Sequence, residues 1–165
     1  MLEKLLARLH LADPPQTPMP PADAQHALGA LLVRVAKAAK TYLFSEIHEI
    51  DHLLADLYAL NPVEAARMRA QCEKLEAAMP DTTDLAHILK AGIRETEKEA
   101  FVRALWAVAR ADGVRHASER QVVALASEAL GMAPERAEAL REIVVLLPRA
   151  PYGPMKAFVA DALAL

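Results

Sequence analysis

The chain has one cysteine, five glycines and 4% aromatic residues among 165 positions. Each shortage excludes something. Cys72 stands alone, so it cannot close an internal disulfide, no CxxC pair exists, and a reducing compartment suits it. With so few glycines there is no Gly-rich loop to cradle a phosphate. Scarce aromatics leave a core of Ala, Leu, Val and Ile, across which helices approach closely. No segment alternates apolar and polar residues, with β-branched enrichment, for long enough to read as a strand. No apolar run reaches the roughly 20 residues that a membrane-spanning helix needs. Glu3, Lys4 and Arg8 interrupt the first residues, where a secretory apolar core would lie. The formal net charge of -3 gives little with which to displace counterions from a phosphate backbone, so nucleic acid is not an expected partner. The expected location is cytoplasmic.

What the chain does have is helix-forming sequence. Apolar residues make up 54% of it, much of that alanine, in long Ala/Leu/Glu/Arg stretches that lose little rotamer freedom in a helix. The spacing predicts an all-α fold, a bundle of about seven to nine helices. Residues 1–12 read as an amphipathic helix through Leu2, Leu5, Leu6 and Leu9, and residues 13–21 as a Pro-rich linker. The main helical domain follows over 22–147, then a Pro-containing break and a C-terminal helix over 148–165.

Within the domain, a helix from about Asp23 to Thr41 carries Leu28, Leu32, Val35 and Ala39 on one face. Ser45 is placed to N-cap a helix with the stripe Ile47, Ile50, Leu54 and Leu57. Asn61-Pro62-Val63-Glu64 is a helix start, with Pro in the first turn and an acid at the third position. Asp81 opens a helix that Gly92 closes. Thr96 to Glu99 and Ser118 to Gln121 both read as capping boxes, and Pro134 begins a further helix.

The domain repeats itself. Leu32–Leu57 aligns without gaps on Leu105–Leu130: Leu32, Val35, Ala36, Ala38, Ser45, Glu46 and Leu57 recur as Leu105, Val108, Ala109, Ala111, Ser118, Glu119 and Leu130. A Ser-Glu pair at one fixed offset from the apolar stripe is harder to attribute to alanine-rich composition than the Ala and Leu matches. Each unit is helix, loop, helix, then a helix begun by Pro62 or Pro134.

The second loop reads Ala111-Asp112-Gly113-Val114-Arg115-His116-Ala117-Ser118-Glu119. An A-D-G turn at a helix end, followed by Ser-Glu opening the next helix, resembles the TerB-like tellurite-resistance family. "ALLVRVAKA" in the first half and "ALWAVARADG" in the second resemble its signature, over roughly residues 25–140. The resemblance implies a helical domain of two helix–loop–helix halves and a role in tellurite and metal stress. It also implies protein partners, a membrane-associated stress complex among them, and a divalent cation (Ca or Zn) at the acidic loops. Carried over by position, the metal ligands are Asp112, Glu119 and Glu46. The first loop departs from the pattern, with Ala38-Ala39-Lys40 where the family motif would read A-D-G.

Two other readings stand beside this one. His48-Glu49-Ile50-Asp51-His52 matches H-E-x-x-H, in which two histidines one turn apart bind zinc and the Glu activates water. At 100° per residue, however, His48 and His52 fall opposite the apolar stripe, toward solvent, where they would take up metal only adventitiously. A zinc-dependent hydrolase is therefore the alternative to a non-enzymatic interaction or metal-sensing module. The E-x-x-H of a di-iron bundle finds only Asp84-x-x-His87 as a second unit, and no supporting Glu pair. The third reading is a ligand-free helical scaffold: Asp112 ends a helix, Gly113 turns the chain and Glu119 sits in a first helical turn, none of which needs an ion. No catalytic residue and no organic cofactor are expected.

Overall fold

The structure, a computed structural model, describes residues 17–113 and 116–146, with side chains to residue 143. The predicted helix at 1–12 and the C-terminal helix of 148–165 lie outside the described residues. Of the linker, Thr17 onward is described. Pro20 is buried, and Lys74 Nζ donates to the Thr17 carbonyl.

Seven α-helices follow: α1 Ala24–Lys37, α2 Phe44–Tyr58, α3 Pro62–Ala78, α4 Thr82–Ala91, α5 Lys98–Ala109, α6 Ala117–Ala129 and α7 Pro134–Leu146. No strand occurs among the described residues. A 3-10 turn, Glu95–Glu97, leads into α5. Among the described residues, no helix is long and apolar enough to cross a membrane.

The sequence predicts one buried face on α1; the structure buries every residue from Ala27 to Ala36. A helix apolar all round belongs inside, and α1 packs against α2, α3, α4, α5 and α6. Gly29 permits the closest of these approaches, because a Cβ there would lie 2.2 Å from Cys72 Sγ on α3. Cys72 is fully buried, and burial pushes its thiol up to about 12, so it packs rather than reacts. Arg34 is the one charged residue in this buried run. It donates through Nη2 to the carbonyls of Glu76 (2.8 Å) and Met79, closing the C-terminus of α3 where backbone acceptors are otherwise orphaned.

α5 repeats the role of α1: Phe101, Val102, Ala104, Leu105, Trp106, Ala107 and Val108 are buried. Trp106 Nε1 donates to the Ala137 carbonyl at 2.9 Å, which fastens α7. Both first helices of the duplicated units therefore share one continuous core. The register that carries Leu32 onto Leu105 also carries Phe44, the first residue of α2, onto Ala117, the first residue of α6. The repeat is structural as well as sequential.

Some helix ends differ from the sequence prediction. α1 stops at Lys37, so Ala39 lies in the following turn, beyond the helical stripe. Asn61 and Asp81 cap α3 and α4 as predicted, with Glu64 completing the Asn61 box. Ser45 and Ser118 do not cap. The N-cap positions are Leu43 and His116, two residues earlier, which puts the glutamates Glu46 and Glu119 in the N3 position instead. Thr96 likewise lies inside the 3-10 turn, and α5 begins at Lys98 without a side-chain cap.

Candidate metal centre

Glu46 and Glu119 are 0% and 1% exposed. A carboxylate at the third position of a helix usually reaches back to the N-cap N–H and otherwise faces water. Glu46 does reach back: its Oε2 accepts from the Leu43 backbone N–H at 2.9 Å. Its Oε1 meets no donor, and neither does either oxygen of Glu119, among the described residues. The two carboxyls face each other, and the only hydrogen bond available between them needs a shared proton. Burial above all, then the neighbouring Glu46 and Asp112 carboxylates, push the Glu119 carboxyl up to about 8. Buried polar atoms without partners are costly, so this cluster calls for an explanation.

Asp112 and His116 complete the group. After α5 the chain turns through Arg110 and Asp112, with the Gly113 N–H bonded to the Arg110 carbonyl at 3.0 Å and Gly113 at a φ of 75°. Only glycine takes that conformation without steric cost. The turn directs Asp112 back over the start of α6, where its Oδ2 lies 3.2 Å from His116 Nε2. The Asp112 side chain is 6% exposed and that of His116 30%. Ligand-type atoms of Asp112, His116 and Glu119 all lie within 4.8 Å of one another. Among the described residues this is the one such group of three or more His, Cys, Asp or Glu.

Of the three residues proposed from the family resemblance, Asp112 and Glu119 come together with His116, while Glu46 lies against Glu119 but outside that group. Sequence reasoning gave His116 no ligand role. The signal was present: His116 stands four residues after Asp112 and three before Glu119, at the N-cap that turns the loop into α6.

The first loop, in the same register, places Ala39 where Asp112 stands, Lys40 at Gly113, and Leu43 at His116. Lys40 takes the positive φ of its glycine counterpart, 65°. The two turns match in this positive φ, while Ala39 and Leu43 carry no counterpart of the Asp112 and His116 polar groups.

The other candidates are dispersed. His48 and His52 are exposed on the outer face of α2, His48 stacked on Phe44 and His52 paired with Asp56 at 3.3 Å. Asp51 is bound instead to Arg69 of α3 at 2.6 Å, so Arg69 ties α2 to α3. Asp84 and His87 are exposed on α4. Arg141 is half-buried over the Trp106 ring at 5.7 Å.

Fold and site define a duplicated helix–loop–helix bundle whose two halves meet at a buried carboxylate pair. The family described as tellurite resistance protein TerB matches residues 25–142, most of the chain, and the chain belongs to that family. No curated protein and no solved structure matches it.

Proposed function

We propose that this chain is a non-enzymatic TerB-family module that binds a divalent cation at the junction of its two halves and signals through protein partners. The setting is the cytoplasmic response to tellurite or metal stress. The observation that carries the reading is the Glu119 carboxylate, buried against Glu46 with no donor to either oxygen among the described residues. A dication would supply positive charge to this carboxylate pair. The residues fit such an ion: Asp112, His116 and Glu119 converge from one loop, and Glu46 adjoins from the other half.

A bound ion would pin the second loop and draw the start of α6 toward that of α2, shifting one half relative to the other. The non-enzymatic part of the proposal is supported by the placement of His48 and His52, which converge on no third ligand among the described residues. Calorimetric titration of the chelator-treated chain with Ca²⁺, Mg²⁺, Mn²⁺ and Zn²⁺ tests it. Saturable binding that raises the melting temperature, and that both Asp112→Ala and Glu119→Gln abolish, is the expected result. Binding that these variants leave unchanged, or no binding at all, would return the chain to the ligand-free scaffold reading.

A further inference from the structure

We infer that His48 and His52, on the outer face of α2, form a two-histidine chelate for a transition dication of the Zn²⁺ type, whose open positions are filled by the same pair from a second copy of this chain. This site is separate from the junction of the two halves and does not depend on the reading proposed there.

The two histidines stand four residues apart on one helix, so they are neighbours one turn apart. Exposed imidazoles as a rule turn freely, but both of these are held. The His48 ring is stacked on that of Phe44, with centroids 6.2 Å apart and planes 17° from parallel. His52 Nε2 lies 3.3 Å from Asp56 Oδ2. A hydrogen on Nε2, donated to that carboxylate, leaves the lone pair on Nδ1 for a metal. Metal-binding histidines usually donate their other ring N–H in this way, which fixes the tautomer and makes the ring a better ligand. Imidazole nitrogen suits zinc, nickel and copper, whereas calcium and magnesium take oxygen.

One chain cannot complete the shell. Among the described residues, no third His, Cys, Asp or Glu converges with this pair. A tetrahedral zinc takes four ligands, so two histidines leave two places open. A second copy related by a two-fold axis supplies both at once, because every contact of such an interface is made twice. The surroundings suit that occupant. Phe44, stacked on His48, is 81% exposed, and Leu43 beside it is exposed as well. Neither belongs to the core of its own chain, and buried aromatic rings are characteristic anchors of interfaces. One turn to either side of the pair stand Ser45 and Ala55, whose short side chains let a second helix approach. Two exposed apolar side chains per chain fall well short of the roughly 1,200 Å² that a stable interface buries, so association follows the ion.

Sedimentation of the full chain, first with chelator and then with increasing Zn²⁺, tests this. A monomer is expected with chelator, and a dimer complete at one Zn²⁺ per two chains; Ca²⁺ and Mg²⁺ should leave the chain monomeric. His48→Ala and His52→Ala should each abolish the dimer, and alanine at these exposed helical positions keeps the fold. Asp56→Asn should lower the Zn²⁺ affinity roughly 10-fold, and Phe44→Ala should weaken the dimer roughly 10-fold. Asp112→Ala and Glu119→Gln should leave it intact. Zn²⁺ held by the pair in a chain that stays monomeric would overturn the inference, since the second copy would not be the occupant. A dimer that persists in both histidine variants, or that Ca²⁺ forms equally well, would overturn it too, as would the absence of any Zn²⁺ binding that these variants remove. Because this face also takes Zn²⁺, the Zn²⁺ titration of the junction is read in the His48→Ala, His52→Ala background, which keeps the two sites apart.

Discussion

The two inter-helix loops of this protein share a positive φ at one matched position and differ in chemistry. After α1 the chain turns through Ala39 and Lys40 to Leu43; after α5 it turns through Asp112 and Gly113 to His116. Both turns use a positive φ at the same position of the repeat, and both deliver a glutamate to the third position of the next helix. The comparison shows that turn geometry and ligand content are separable. Lys40 holds the left-handed conformation at a steric cost of about 1–2 kcal/mol, so this turn does not require glycine. The donor atoms of Asp112 and His116 have no counterpart at Ala39 and Leu43, because a turn does not need them.

The largest test of the equivalence lies in the core beneath the loops. Leu32 and Leu105 occupy matched positions and are both fully buried. Leu32→Ala and Leu105→Ala should each cost about 2–5 kcal/mol in denaturant unfolding. If one costs several times the other, the halves are not energetic equivalents.

Next in size comes the carboxylate pair. In the cation-free protein at pH 8, Glu119→Gln should stabilise by about 1–3 kcal/mol, because the amide donates to Glu46 and a buried negative charge is lost. Glu46→Gln should stabilise less, since Glu46 also accepts from the Leu43 N–H. A reversed order would break the assignment of Glu119 as the less satisfied partner. The pH profile carries the same information. Glu119 titrates near 4.5 when unfolded and about 8 when folded, so between these values the folded state holds a proton that the unfolded state has released. The group's stabilisation is therefore complete below about 4.5 and lost as pH rises toward 8. Cation-free melts should fall across that window, and Glu119→Gln should flatten the fall. Cation affinity should run the opposite way, rising with pH, because the ligand must deprotonate.

The smallest effect is in the turns themselves. Lys40→Gly should stabilise by about 1 kcal/mol, and Gly113→Lys should cost about the same. A Cβ at Gly113 would meet nothing within 4 Å, so the cost there is purely one of backbone conformation. Equal and opposite shifts in thermal melts would confirm that the two turns are one device.

The helical fold was legible in the sequence because helix formation and capping depend on nearby residues. Asn61 with Glu64, and Asp81 ahead of α4, could be read directly, and the repeat followed from matched apolar residues around Ser-Glu. Ser45 and Ser118 misled because a good capping residue was available at each start, while the chain turned into helix two residues sooner. The single face drawn for α1 missed its full enclosure, because periodicity within one helix says nothing about how many neighbours surround it.

Sequence by itself determined the helices, the duplication and the family, and pointed to Asp112, Glu119 and Glu46. Only the tertiary structure decided that Glu46 and Glu119, far apart in the chain, are buried against each other, with no donor to either Glu119 oxygen among the described residues, and that His116 stands beside Asp112 and Glu119. It also set the exposed pair His48 and His52 apart from that group. Local propensity is written in neighbouring residues, whereas the solvation of a charge depends on everything packed around it.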